Sequence, residues 1–138
     1  MKTLKFKPYF IEPLRSMKKM STIRKSDKGL KKDDLVECVF EGTNFSILRI
    51  VKSVEQVKFE ELDNRYAWFE GYNHVDLLKH ELQSIYPDIR DDTVLFQIKF
   101  ERPSKGLNKL RFREESNNNE DDSNNSIKII IKDTKDGF

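Results

Sequence analysis

Apolar and polar positions alternate most regularly between Thr93 and Phe100. Val94, Phe96, Ile98 and Phe100 share one parity there, and Gln97 and Lys99 the other. A period of two predicts a strand with one face on a core and one face outward. The same pattern predicts a first strand over Thr3–Lys7, with Leu4 and Phe6 inward, and a strand over Met20–Arg24 centred on β-branched Thr22 and Ile23. Leu35–Phe40 and Phe45–Val54 read as two more strands, joined as a hairpin by Gly42-Thr43-Asn44. Lys25 to Asp34 is turn chemistry, with Gly29 at the position that calls for positive φ.

Helical spacing takes over in two places. Phe10, Leu14 and Met17 mark a short helix limited by Pro8 and Pro13. Phe59 to Tyr86 is the main helical part. Asp63 caps a short helix carrying Tyr66, Ala67, Trp68 and Phe69, which ends near Gly71. Asn73 with Asp76 is expected to open a second helix, whose stripe is Val75, Leu78, Leu82 and Ile85 and whose stop is Pro87. Strands, a helical insertion and a closing strand make an α+β domain, compatible with a small barrel of about five to six strands.

Beyond Arg102 the pattern ends, which divides the chain into a domain over 1–102 and a charged low-complexity tail over 103–138. Lys105–Arg113 is basic with Leu107, Leu110 and Phe112 interspersed, and Glu114–Ser126 has no apolar residue and reads as disordered. Ile127–Lys132 has strand propensity without an obvious partner. It either adds to a sheet edge of this or another molecule, through which the tail would recruit a protein partner, or it is an aggregation-prone remnant.

Composition narrows the class. The 138 residues are 36% apolar and 36% charged, enough for one polar globular domain with a modest core. Cys38 stands alone, so no disulfide forms within the chain. The sequence has neither an apolar run of membrane-spanning length nor the apolar segment of a signal peptide, so a cytoplasmic protein with no membrane association is expected. His74 and His80 are off the spacing of a shared metal site, and no glycine-rich phosphate loop is present, so neither metal nor cofactor is expected. The net charge of +2 hides its arrangement: residues 1–32 hold eleven Lys/Arg against two Asp/Glu, and residues 33–102 hold eight against fifteen. A cationic first third suits phosphate or another anion; the plain alternative is a solvated surface balanced by the acidic middle.

The stretch Ser16–Arg24 is where this charge meets a motif. On a strand Thr22 and Arg24 share one face and Ile23 points to the other, so a buried Ile23 would leave Thr22 and Arg24 lining a cleft, with Lys19 swinging toward it from the preceding turn. The pattern Lys19-x-x-Thr22-x-Arg24 resembles the signature of the ASCH domain, a small β-barrel of the PUA-like superfamily. Its usual form is Gly-x-Lys-x-x-(Thr or Glu)-x-Arg, and Met17 stands here at the glycine position. Further marks of the resemblance follow in order: Leu30-Lys31-Lys32-Asp33-Asp34, Phe59-Glu60-Glu61-Leu62, Ala67–Tyr72, Leu78…Leu82…Ile85-Tyr86-Pro87 and Val94–Phe100.

The resemblance implies a cleft that binds RNA or a nucleoside. One branch of the family, the N4-acetylcytidine amidohydrolases, implies Lys19, Thr22 and Glu70 as a catalytic trio, with Arg24 holding substrate or an oxyanion. A lysine base, a hydroxyl nucleophile and a carboxyl acid in an aromatic setting are a coherent set for cleaving an amide. Lys18, Trp68 and Tyr72 complete the expected ligand-binding residues, with an aromatic side chain stacking the base. Three functions stay open: binding of RNA or a modified pyrimidine nucleoside, hydrolysis of an N4-acyl pyrimidine nucleoside, and protein interaction through the tail. Taken singly, Thr22 is an ordinary strand threonine, Arg24 a partner for Asp27 or Glu70, and Trp68 and Phe69 core residues.

Overall fold

In the computed structural model, which describes residues 1–103, the alternating segments form β1 (Lys2–Phe6), β2 (Ser21–Arg24), β3 (Leu35–Phe40), β4 (Ser46–Lys58) and β5 (Val94–Glu101). The helices are α1 (Ile11–Arg15), α2 (Asn64–Phe69) and α3 (Val75–Ile85). The fold is α+β, and the strands follow the order β1-β3-β4-β5-β2 in one sheet. The basic segment Lys105–Arg113, the polar tract Glu114–Ser126 and the expected strand at Ile127–Lys132 lie outside the described residues. The chain divides into two compact units, with β4 running from one into the other.

Among the described residues, the first unit comprises Met1–Ser16, Leu35–Ile50 and residues 101–103. Its β1 pairs parallel with β3, from Lys2↔Val36 to Phe6↔Phe40, and β3 pairs antiparallel with the first part of β4. Alternation buries Leu4, Phe6, Val36, Cys38 and Phe40, as a period of two requires. Phe6 packs edge-on against Phe10 and tilted against Phe40. Helix α1 is shorter than its apolar spacing predicts. Leu14 is buried, and Arg49, itself buried, donates to the Leu14 carbonyl at 3.0 Å, satisfying a helix-terminal acceptor.

The second unit comprises Met17–Asp34 and Val51–Phe100. Its core is Ile23, Val57, Phe59, Leu62, Ala67, Leu78, Leu82 and Leu95. Strand β2 pairs antiparallel with β5, from Ser21↔Lys99 to Arg24↔Phe96. Asp63 caps α2 by accepting from the Arg65 N–H at 3.0 Å, and the Arg65 side chain holds that carboxyl below the usual carboxylate range. The cap of α3 departs from expectation. His74, not Asn73, fills that position, in an extended backbone that lets its Nδ1 accept from the Asp76 N–H at 3.1 Å. In α3, Leu78 and Leu82 are buried and Val75 is half-buried. Ile85 is exposed, and Tyr86 and Ile89 pack on the core beyond it.

Strand β5 also departs from its one-sided pattern. The core built with α2 and α3 includes Leu95, so that face is buried at Leu95 and Gln97 while Ile98 and Phe100 are buried on the other. Polarity at Gln97 and Lys99 therefore does not mark a solvated face.

Met17, at the glycine position of the motif, makes the turn all the same, with φ at +66°. A left-handed conformation costs an L side chain about 1–2 kcal/mol. Met17→Gly is expected to stabilise the protein by about 0.5–1 kcal/mol, the relieved strain being offset in part by a freer unfolded chain. Met17→Ala keeps the strain and is expected to bring no gain. Urea denaturation midpoints of the two variants check this.

Candidate functional site

Strand parity divides the polar groups of the second unit. Ser21 and Ile23 share a face with Leu95, Gln97 and Lys99; Thr22 and Arg24 share the opposite face with Phe96 and Ile98. The turn before β2 is fixed from both sides. The Met20 N–H donates to the Phe69 carbonyl at 2.7 Å, and the Met20 carbonyl accepts from the Phe100 N–H at 2.8 Å. At the end of α2, Gly71 has φ +90°, and a Cβ there would lie 3.3 Å from the Lys18 carbonyl oxygen. Its missing side chain is what lets the Lys18–Lys19 backbone approach.

These constraints place Lys19 beside Glu70, the C-terminal cap residue of α2. Lys19 Nζ donates to Glu70 Oε1 at 2.9 Å, and both side chains are only 4% exposed. The Ser21 hydroxyl donates to Oε2 of the same carboxylate, and Gln97 Nε2 donates to Ser21 Oγ at 3.1 Å. Longer contacts of 3.5 Å run from Gln97 Nε2 to Glu70 Oε2 and to the Tyr66 carbonyl. Donors and acceptors run in one direction, from amide to hydroxyl to carboxylate, with the ammonium on the second carboxylate oxygen. Each buried ion forfeits hydration worth several kcal/mol, so the pair is tolerable because both carboxylate oxygens are bonded.

Gln97 also lines a hollow of about 140 Å³, together with Glu55, Arg65, Tyr66, Phe69 and Lys99. The Tyr66 hydroxyl donates to Glu55 at 2.9 Å. Burial first, then the Glu55 carboxylate, push the Tyr66 phenol above its ordinary value, so it stays a donor at neutral pH. Lys99 Nζ sits 4.1 Å from the centre of the Phe69 ring.

Of the residues expected at the site, Lys19 and Glu70 meet. Thr22 lies on the opposite sheet face, where its Oγ1 accepts from Arg24 Nε at 3.2 Å, so the hydroxyl at the glutamate belongs to Ser21. A one-residue step along a strand reverses the face, and the motif spacing alone leaves open which face α2 covers. Trp68 is 62% exposed and stands edge-on to Phe69, Tyr72 packs against the core, and Lys18 is exposed. Ser21, Gln97 and Lys99 were not singled out from the sequence as site residues, and Tyr66 and Phe69 figured there only as aromatic neighbours of Glu70. The signal for two of them was present: Ser21 has the parity of Ile23, and Gln97 is a polar residue between apolar neighbours in the most regular strand.

Among the described residues, no group of three or more His, Cys, Asp or Glu side chains is arranged to hold a metal ion, and no helix is long and apolar enough to cross a membrane. No protein-family model matches the chain, and no curated protein matches it. Among solved structures it is similar to the crystal structure of protein EF3133 from Enterococcus faecalis V583, described as family-model DUF984. The TM-score is 0.48 and the identity 16%, over 65% of this chain and 67% of that one. A likeness of that size leaves the chemistry to be argued from this chain's own residues.

Lys19→Met leaves the Glu70 carboxylate buried with its ammonium gone, and is expected to destabilise the protein by about 3–5 kcal/mol. Lys19→Met combined with Glu70→Gln removes both charges and is expected to recover most of that loss, which a double-mutant cycle in urea would measure. Gly71→Ala is expected to cost about 1–3 kcal/mol, from positive φ and from the displaced Lys18 carbonyl.

Proposed function

We propose that this chain is a recognition module of the ASCH type that holds a pyrimidine base, in a nucleoside or in single-stranded RNA, in the hollow over Gln97. The observation that carries this reading is the tethered amide of Gln97 in the wall of an aromatic hollow. Its contacts to Ser21, Glu70 and the Tyr66 carbonyl all use Nε2, which orients the amide oxygen as an acceptor. A fixed acceptor beside an aromatic surface suits a planar heterocycle with an N–H on its edge. A hollow of about 140 Å³ suits one base better than a whole nucleoside. The Lys19–Glu70 pair behind it then serves to hold the amide in place.

Turnover is the second reading, favoured by the contact of Ser21 with Glu70 and of Glu70 with Lys19. A hydroxyl, a carboxylate and an amine are the groups an amidohydrolase of N4-acetylcytidine needs. Placement argues for binding instead. Ser21, Lys19 and Glu70 bond to one another and do not line the hollow, whereas Gln97 does. The Thr22 and Arg24 side chains, on the other face, would contact a ligand only there.

The test is a titration with cytidine, uridine, N4-acetylcytidine and a short single-stranded RNA, for the wild type, Gln97→Leu and Phe69→Ala. Both variants are expected to weaken binding about tenfold or more, the scale of one lost hydrogen bond or one lost stacking contact. Equal affinities in all three proteins would remove the hollow as the site. Incubation with N4-acetylcytidine is expected to release no acetate; release that disappears in Lys19→Ala would establish the hydrolase reading in its place.

A further inference from the structure

The opposite face of the same strands carries a second hollow, of about 520 Å³, in which Leu30, Val54 and Phe96 meet Lys31, Lys32 and Lys52. Two features set it apart from an ordinary lysine-rich surface. First, the lysines are positioned by backbone. The Asp33 N–H donates to the Val51 carbonyl at 2.8 Å and the Val51 N–H to the Asp34 carbonyl at 2.9 Å, so the turn bearing Lys31 and Lys32 is bonded to β4 beside Lys52. Within that turn the Lys31 N–H donates to Asp34 Oδ2 at 3.0 Å.

Second, positive charge is in excess there, three lysines against the one carboxylate of Asp27. Lys7, Lys19 and Lys25 each reach a carboxylate, but among the described residues Lys31, Lys32 and Lys52 are in no ion pair. Asp27, which also lines the hollow, has its Oδ1 engaged by the Gly29 N–H at 2.8 Å. Three lysines therefore line a hollow whose wall includes the half-buried Phe96. A ligand that answers both features carries negative charge and a flat apolar part in one unit.

We propose that this hollow binds a nucleotide unit, with phosphate on Lys31, Lys32 and Lys52 and the base against Phe96. The unit comes either from a free mononucleotide or from single-stranded nucleic acid. Phosphate oxygens draw the lysines without regard to sequence, and an aromatic floor accepts any base. Arg24, opposite Phe96 in the β2–β5 register, adds a cation to the same face. This site is independent of the hollow over Gln97, and each can fail alone.

The experiment measures binding of octauridylate and of uridine monophosphate by the full chain at several salt concentrations. The variants are Lys31→Ala/Lys32→Ala/Lys52→Ala, the charge-matched Lys2→Ala/Lys5→Ala/Lys7→Ala, and Phe96→Leu. The first triple variant is expected to lose about tenfold or more in affinity and to flatten the salt dependence by roughly two to three phosphate contacts. The charge-matched variant is expected to stay within about twofold of wild type, because none of its lysines lines the hollow. Phe96→Leu is expected to lose affinity with the salt dependence intact. Tight binding of octauridylate alone would identify the strand as the source, and equal binding per site of the monophosphate would identify the free nucleotide. Equal losses in the two triple variants, no binding of either probe, or a preference of the groove lysines for anionic phosphatidylserine vesicles over both would overturn the proposal. Uridine, which carries no phosphate, reads the hollow over Gln97 separately, and its affinity is expected to be unchanged in the Lys31→Ala/Lys32→Ala/Lys52→Ala variant.

Discussion

A lysine ammonium and a glutamate carboxylate, 51 residues apart in the chain, meet out of water at 2.9 Å. Neither is tolerable there alone, because an unpaired buried charge costs several kcal/mol. The local structure around them is the set of conditions for their meeting. The Met20 backbone is bonded to Phe69 on one side and Phe100 on the other. Gly71 has no side chain to hold the Lys18 carbonyl away, and Met17 accepts a strained φ so that the chain can turn. Ser21 and Gln97 then occupy the carboxylate oxygen that the ammonium leaves.

The pairing of β2 with β5 converts one short stretch of sequence into two chemical surfaces. Ser21 leads to the buried network and, through Gln97, to the aromatic hollow of Tyr66 and Phe69. Thr22 and Arg24 face the other way, the side of Phe96 and the three lysines. Under the two proposals, the first surface takes a base through the Gln97 acceptor and the second takes phosphate through lysines.

Much of this was legible residue by residue. Alternation at Leu4 and Phe6, the Asp63 cap, the Leu78–Leu82 stripe and the positive φ of Gly29 each follow from local stereochemistry. The cap of α3 was misplaced by one residue because Asn is the commoner capping side chain, whereas the extended backbone at His74 brings an imidazole nitrogen to the same N–H. The face of Gln97 was misread for a different reason. Polarity usually signals solvent, but here it signals a buried partner, and the partner comes from 76 residues away in the sequence.

The sequence by itself determined where strands and helices form, that Ile23 belongs to the core, and that Lys19 and Glu70 are the charged groups worth watching. It did so because each of these depends on periodicity and on the chemistry of near neighbours. Only the tertiary structure decided that Ser21 rather than Thr22 reaches the carboxylate, that Trp68 stays outside, and that three lysines gather around Phe96. Those outcomes depend on which face of a strand a distant helix covers and which turn is bonded to which strand. Such choices are fixed by long-range packing, and no local spacing encodes them.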